Sequence, residues 1–420
     1  MSILNKRLAF FDDVYRPDAK ILRFLSVLVL VGVSHVLYRG IFNNYLVEIV
    51  RITPFERGVM EVFRELPGLL LILILALFYK YTNSKIFKIG IGLMAGGLAG
   101  LLLTSTGPFF MTRFFVVIFM MIFSTGEHIL MPIVPSIGME LAKREKSGAA
   151  LGINASLGQL GQIGGLFFVT ALFIFLGQMG FGQTELVGFR IVFGLSVALM
   201  LASALVALAL KETTQKVERQ RFYISKKFKK FYILELFYGG RKQIFATFAP
   251  FVLIYFYGAN PAIMSMLLAI CAGFAIFCGP IVGRFIDWLG YKTVMVADSL
   301  LVIVVCLLYG FAHIIFPMEI AFIVICVTFV LDSIVSMGRM GANVYVQRIS
   351  NGPEEIRATL STGISMDHII TIPMALLGGW IWSIMGFEVL FSLFALLGLG
   401  KCLYTLTIKK SEEITKNSGQ

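Results

Sequence analysis

The sequence predicts an all-α membrane protein of twelve transmembrane helices in two pseudo-symmetric six-helix bundles; composition, apolar run length and the placement of basic residues predict it. Of 420 residues, 58% are hydrophobic and 14% charged, against about 25% charged in an ordinary soluble domain. The apolar residues come in long runs, Leu66–Tyr79 and Ile320–Leu331 among them, and such runs recur along the whole chain. A soluble core has no need of them.

Crossing the hydrocarbon takes roughly 20 apolar residues in a helix, and charged breaks separate the runs that meet this length. The first six spans are expected near 22–48, 58–79, 86–105, 109–140, 148–177 and 187–210. The second six follow near 231–257, 261–287, 293–315, 319–347, 358–385 and 387–408. The stretches 22–48, 109–140 and 319–347 exceed the minimum, so they are expected to tilt, kink or project beyond the bilayer. The chain thus divides into an N-terminal bundle with a short tail (1–210), a basic linker (211–230) and a C-terminal bundle with its own tail (231–420). Residues 1–20, with Asp12, Asp13, Arg16 and Asp18, lack an apolar run ending in small residues, so no cleavable signal peptide is expected. Cys271, Cys278, Cys306, Cys326 and Cys402 all sit in apolar segments at no metal-ligand spacing. They read as small buried hydrophobes, and neither metal nor cofactor is expected.

The formal net charge is +12, a value that suggests nucleic acid until its distribution is inspected. Basic residues concentrate in the tails and even-numbered connections: Lys6 to Arg23, Lys80 to Lys88, Lys143 to Lys146, Lys211 to Lys230, Arg284 with Lys292, Arg348 with Arg357, and Lys401 onward. The odd-numbered connections carry only Arg51, Arg57, Arg113 and Arg190. Positive loops stay in the cytoplasm. The expectation is a multi-pass protein of the cytoplasmic (inner) membrane with both termini inside, whose partners are the lipid bilayer and a small solute, not nucleic acid. The linker run Lys226-Lys227-Phe228-Lys229-Lys230 reads as a segment drawn to anionic headgroups.

Six spans, a linker and six spans invite a search for a repeat. Tyr38-Arg39-Gly40 aligns with Tyr238-Gly239-Gly240, Gly58 with Gly258, and Ser124-Thr125-Gly126-Glu127 with Ser336-Met337-Gly338-Arg339. Between spans 8 and 9 stands Gly283-Arg284-Phe285-Ile286-Asp287-Trp288-Leu289-Gly290-Tyr291-Lys292. This loop fits the G-x-x-x-D-x-x-G-x-[RK] signature, and over its full length the chain resembles the major facilitator superfamily. The resemblance implies a monomeric transporter in which Gly283, Arg284, Asp287, Gly290 and Lys292 form a cytoplasmic latch that re-pairs between inward-open and outward-open states. The matching first-half loop, Tyr79-Lys80-Tyr81-Thr82-Asn83-Ser84-Lys85, lacks the acid and both glycines. Span 5 carries Gly158, Gly161, Gly164 and Gly165, similar to the antiporter motif of drug exporters, but Leu160-Gly161 replaces its Gly-Pro. Such glycines, like Gly92, Gly96 and Gly100 in span 3, also serve close helix packing.

A charge at a span centre costs roughly 2.5–3.5 kcal/mol on insertion scales, so charged residues within spans need partners or water. On span 10, Asp332, Ser336, Arg339, Asn343 and Gln347 follow at helical spacing on one face. Span 1 repeats this with His35, Arg39 and Asn43; span 7 offers Glu235 and then Arg241, Lys242 and Gln243; span 4 offers Glu127 and His128 ahead of Pro132 and Pro135. The resemblance implies that spans 1, 4, 7 and 10 line the substrate cavity. The candidate substrate-binding residues are therefore Arg39, Asn43, Glu127, Arg241, Lys242, Gln243, Arg339 and Asn343. Glu127, His128, Asp332, Asp367 and His368 are candidate proton carriers, since a carboxylate or imidazole in such an interior can hold a proton. Asp332 with Arg339 also reads as a structural ion pair, and Asp367-His368 as a packing patch. Glu61, Arg64 and Glu65 read as an ion-paired outer gate, and Glu48, Arg51, Glu56 and Arg57 equally as a solvated loop.

In this inventory cations outnumber Glu127, and guanidinium forks match carboxylate and phosphate. The expectation is a secondary active transporter of a small organic anion, coupled to protons or a counter-anion. Basic residues on spans 1 and 7 resemble the organophosphate antiporter branch, with an offset of about two positions. The alternative is a proton-driven exporter of amphipathic compounds, suggested by 39 Phe and 19 Met. A third reading is a non-transporting sensor or assembly factor on the same scaffold, against which the lack of a large soluble receptor or catalytic segment in this sequence weighs; no metal cluster, nucleotide loop or nucleophile–base constellation indicates an enzyme.

Overall fold

A computed structural model describes residues 14–15, 19–78, 80–104, 109–143, 146–180, 186–210 and 224–408. Most of the linker (211–223) lies outside the described residues; the run Lys226–Lys230 lies within them, in a 3-10 turn at Lys226–Phe228 and the start of the next helix. Among the described residues, β pairing is confined to a single bridge, Tyr15 with Ala142; the regular elements are helices.

The first half contributes α1 (Ala19–Asn44), which runs on through a π turn at Tyr45–Ile49, then α2 (Pro54–Leu69), α3 (Leu71–Leu77), α4 (Asn83–Thr104), α5 (Phe109–Leu141), α6 (Ser147–Gln178) and α7 (Leu186–Leu208). The second contributes α8 (Lys229–Thr247), α9 (Ala249–Tyr255), α10 (Pro261–Leu289), α11 (Tyr291–Ile315), α12 (Met318–Val335), a 3-10 turn at Ser336–Arg339, α13 (Met340–Ile349) and α14 (Pro353–Leu406). Nine helices among the described residues are long and apolar enough to cross a membrane.

Two of the expected spans are divided. The stretch at 58–79 divides into α2 and α3 at Leu70. The stretch at 231–257 divides into α8 and α9, with Pro250 in the first turn of α9, where its missing N–H costs nothing. The stretches at 358–385 and 387–408 are two helices, labelled together as α14, that meet at Gly386 as expected; its φ of 88° is non-helical and suits glycine.

The chain forms two compact units. One holds the described residues of Met1–Arg51, Leu66–Gln220 and Asn260–Ala269; the other those of Ile52–Glu65, Arg221–Ala259 and Ile270–Gln420. Each unit therefore takes a short segment from the opposite half of the sequence. In the first unit α1 packs on α6 and α7, and α4 on α5 and α7. In the second α8 packs on α14, and α11 on α14 and α12. The glycine surfaces differ from expectation. Gly161 and Gly165 of α6 do abut Val33 and Val36 of α1, but Gly92 and Gly96 face nothing within 4 Å, and it is Gly90, Gly97 and Gly100 that seat α5.

The two units close their last helix in the same way. Lys88 Nζ donates to the carbonyl oxygens of Leu210 (2.8 Å) and Leu208 (3.4 Å), and Arg23 to that of Ala209 (2.9 Å). In the second unit Lys292 donates to Ile408 (2.6 Å) and Leu406 (2.8 Å), and Lys230 to Thr407 (3.2 Å). Terminal carbonyls lack intrahelical donors and carry the negative end of the helix dipole, so cations belong there. This pattern is a clearer mark of the repeat than the aligned glycines. It also gives Lys292 a role the latch reading did not foresee: its ammonium caps α14. Arg284 and Asp287 are exposed, a Cβ added at Gly283 would meet nothing within 4 Å, and Gly290, at φ +84°, makes the turn into α11.

At the N-terminal end Tyr15 is buried, and its hydroxyl lies 3.3 Å from the Ala150 carbonyl and 3.2 Å from Asn154 Oδ1. Burial raises the Tyr15 phenol above its ordinary value of 10.0, which keeps it a donor.

Candidate functional site

The second unit contains a buried set of ion pairs centred on α8. Glu235, Arg241 and Lys242 all lie on this helix, and each finds its partner on another. Arg339, at the end of the 3-10 turn, bonds Glu235 and lies over the Tyr238 ring at 4.3 Å. Arg241 bonds Asp332 on α12 and stands 3.8 Å from Asp298 on α11. Lys242 Nζ donates to Asp367 Oδ2 on α14 at 2.6 Å. Asp298 in turn bonds Lys401, also on α14. Asp332 and Arg339 read as one ion pair in sequence, yet each pairs with α8 instead: seven residues put them about 10 Å apart along the helix axis, while carboxylate and cation partners on α8 stand at hydrogen-bond distance.

The expected excess of positive charge is absent from this unit. Arg241, Lys242, Arg339 and Lys401 face Glu235, Asp298, Asp332 and Asp367, so the set is neutral. The physical reason is solvation: an unpaired charge in an apolar interior is costly, and a carboxylate at hydrogen-bond distance removes most of that cost. Weighing the cations against Glu127 alone left out Glu235 and Asp332 on the same helices and the two acids, Asp298 and Asp367, that other helices supply.

Exposure sorts these cations into two kinds. The Arg241 and Lys401 side chains are enclosed, at 6% and 8% exposure. The Arg339 and Lys242 side chains are 27% and 33% exposed, while their partners Glu235 and Asp367 are 1% and 4% exposed. Arg339 and Lys242 each present an open cation backed by a hidden acid. The acids fit notches on facing helices: Glu235 of α8 lies against Gly363 of α14, and Asp367 of α14 against Gly239 of α8.

Glu61, Arg64 and Glu65, expected as an outer gate, form part of the same unit. Arg57 donates to Glu61 at 2.7 Å, Arg64 bonds both Glu61 and Glu65, and Glu65 Oε2 lies 3.0 Å from His368 Nδ1. Gln243 donates to Glu61 at 3.1 Å and to Thr247 at 2.7 Å. Arg57 is 4% exposed, not part of a solvated loop. Close approach makes this possible: a methyl on Gly58 would overlap the Ala375 carbonyl and come within 3.1 Å of Gly379 Cα. Asn343 is exposed on α13.

In the first unit Glu127 pairs with His35 Nε2 at 3.2 Å, joining the span 1 and span 4 candidates. His128 is buried, with Nδ1 near Ser124 Oγ (3.1 Å) and the Ser124 carbonyl (2.8 Å). Arg39 is exposed, and no carboxylate among the described residues pairs with it; Asn43 is half-buried on the same helix.

Asp298 and Lys401 escaped the sequence reading, and Lys401 was grouped with the C-terminal tail. It is in fact 6% exposed inside α14. The available signal was one acid in the apolar run Met295–Cys306 and one base in Gly398–Leu403, each too costly to bury without the other.

The family model of the Major Facilitator Superfamily matches residues 24–366. The chain belongs to the major facilitator superfamily. It is accordingly a multi-pass membrane transporter rather than an enzyme. Solved structures share the fold at low identity. A bacterial homologue of the iron transporter ferroportin, in its inward-facing state, is 11% identical, with TM-score 0.72 over 97% of this chain and 99% of that one. The nucleoside transporter NupG is 14% identical, with TM-score 0.69 over 93% and 100%, and a D-xylose-proton symporter 13% identical, with TM-score 0.67 over 94% and 98%. No curated protein sequence matches the chain.

Proposed function

We propose that this transporter moves a small organic acid by alternating access between its two six-helix halves, residues 1–210 and 231–420, with protons as the coupling ion. One observation carries the reading: the half-buried Arg339 and Lys242 are each backed by a buried carboxylate. An incoming anion meets the cations first. To bind, it displaces Glu235 or Asp367, and a displaced carboxylate in so apolar a place is stable only when protonated. The proton thus enters with the anion, and the site stays neutral throughout. A counter-anion mechanism needs no such hidden acids. Tyr238 adds a ring against which Arg339 is held. The chain works as a monomer in the cytoplasmic membrane with both termini inside.

Related folds include carriers described for nucleosides, D-xylose and peptides, so fold alone selects no substrate class. The test is uptake of labelled organic acids into proteoliposomes under an imposed pH gradient, beside Arg339→Gln. The reading expects acid uptake that the gradient accelerates and the substitution reduces at least tenfold. Uptake of a neutral sugar or nucleoside, unaffected by Arg339→Gln, would overturn it.

A further inference from the structure

The second unit holds two open cation–hidden acid pairs where a single carboxylate would need one. Their spacing follows from the helix seam. Glu235 lies against Gly363 and Asp367 against Gly239. Gly239 is one turn beyond Glu235 on α8, and Asp367 one turn beyond Gly363 on α14. At 1.5 Å rise per residue the two acid pockets therefore sit about 6 Å apart along the seam. Each pocket presents one cation to the outside, Arg339 at the first and Lys242 at the second.

We infer that the transported acid is a short dicarboxylate of four or five carbons; this rests on the organic-acid reading above. Carbon–carbon bonds of about 1.5 Å put the two carboxyl carbons of an extended four- or five-carbon diacid about 4–5 Å apart, with oxygens about 1 Å beyond at each end. Such a molecule reaches both pockets at once. One carboxylate replaces Glu235 on the planar fork of Arg339, where two parallel hydrogen bonds are available. The other replaces Asp367 on Lys242, a point charge that accepts any approach. A monocarboxylate engages one cation and leaves the other pair closed. Inorganic phosphate concentrates its charge on one centre and does not span the gap. No covalent bond changes: Glu235 and Asp367 each take one proton, so two protons accompany two negative charges.

The test is uptake of labelled succinate into proteoliposomes under a pH gradient, with unlabelled glutarate, fumarate, maleate, acetate and phosphate as competitors, and proton movement followed by an entrapped pH dye. The expected result is competition by glutarate and extended fumarate, weak competition by folded maleate, and none by acetate or phosphate at equal concentration. The wild type carries two protons per succinate and Asp367→Asn carries one, a change that a merely structural role for Asp367 does not produce. Lys242→Gln lowers succinate uptake at least tenfold while Lys242→Arg retains it, and matching thermal unfolding of the two variants separates binding from folding. Pyruvate or acetate uptake that succinate fails to inhibit would overturn the dicarboxylate inference and leave organic-acid transport standing. If no acid of either kind is carried, both fall together.

Discussion

Gly239→Ala tests the seam between α8 and α14 at its narrowest point. A methyl group built there stands 2.6 Å from Ile370 Cγ2 and 3.0 Å from the Asp367 backbone oxygen, and it overlaps Asp367 Oδ1. Ordinary contact begins near 3.4 Å, so Ile370 must retreat by about 0.8 Å. The Asp367 main chain must give as well, which no side-chain rotation supplies. Overpacking of this kind costs roughly 1–3 kcal/mol, or roughly 5- to 150-fold in an equilibrium at about 1.4 kcal/mol per decade. Because the obstruction falls on the acid that holds Lys242, the loss is expected in pH-gradient-driven uptake as well as in thermal stability. Gly240→Ala is the internal control. Its methyl meets only Leu397 Cδ2 at 3.3 Å and Met374 at 3.6 Å, flexible side-chain ends that can shift. Uptake by purified Gly239→Ala in proteoliposomes should fall at least fivefold, and that by Gly240→Ala should stay within about twofold of wild type. Wild-type uptake by Gly239→Ala would refute the notch geometry and the acid placement built on it.

Other substitutions probe the remaining pairs. Glu235→Gln should lower the proton count of pH-driven uptake from two per succinate to one, because a permanently neutral side chain frees Arg339 yet takes up no proton, while Asp367 on Lys242 still carries its own. Lys401→Met leaves Asp298 buried without its strongest partner and should destabilise the protein by about 3–5 kcal/mol, read as thermal unfolding in detergent. Adding Asp298→Asn removes the orphaned charge and should recover much of that loss. Lys292→Met should cost about 0.3–1 kcal/mol of stability through the uncapped end of α14, with little change in transport, the expected scale for a cation at a helix C-terminus. Asp287→Asn, at an exposed position, should leave unfolding unchanged; a large drop would show that the loop is tied down after all.

The helices were legible because hydropathy is a local property and a bilayer demands long apolar runs. The division between α8 and α9 had a local signal too, Pro250. The ion pairs had none. Arg241 lies 91 residues from Asp332, Arg339 104 from Glu235, and Lys242 125 from Asp367, and no periodicity along one helix announces a partner on another. The cationic face of α8 was therefore visible while its neutralisation was not. Lys401 shows a related limit. A lysine near the end of a span reads as topogenic charge, and only the acid at Asp298, roughly one hundred residues earlier, reveals that it points inward. His35 and Glu127 were both recognised as interior polar groups, but their pairing at 3.2 Å came from the packing of helices.

Proton stoichiometry under a clamped membrane potential addresses the coupling of hidden acids to open cations most directly. With potassium and valinomycin holding the potential at zero, a pH gradient alone should drive organic-acid accumulation, at one proton per negative charge carried. An imposed potential without a pH gradient should drive none. Accumulation that follows the potential and ignores the pH gradient would contradict the account.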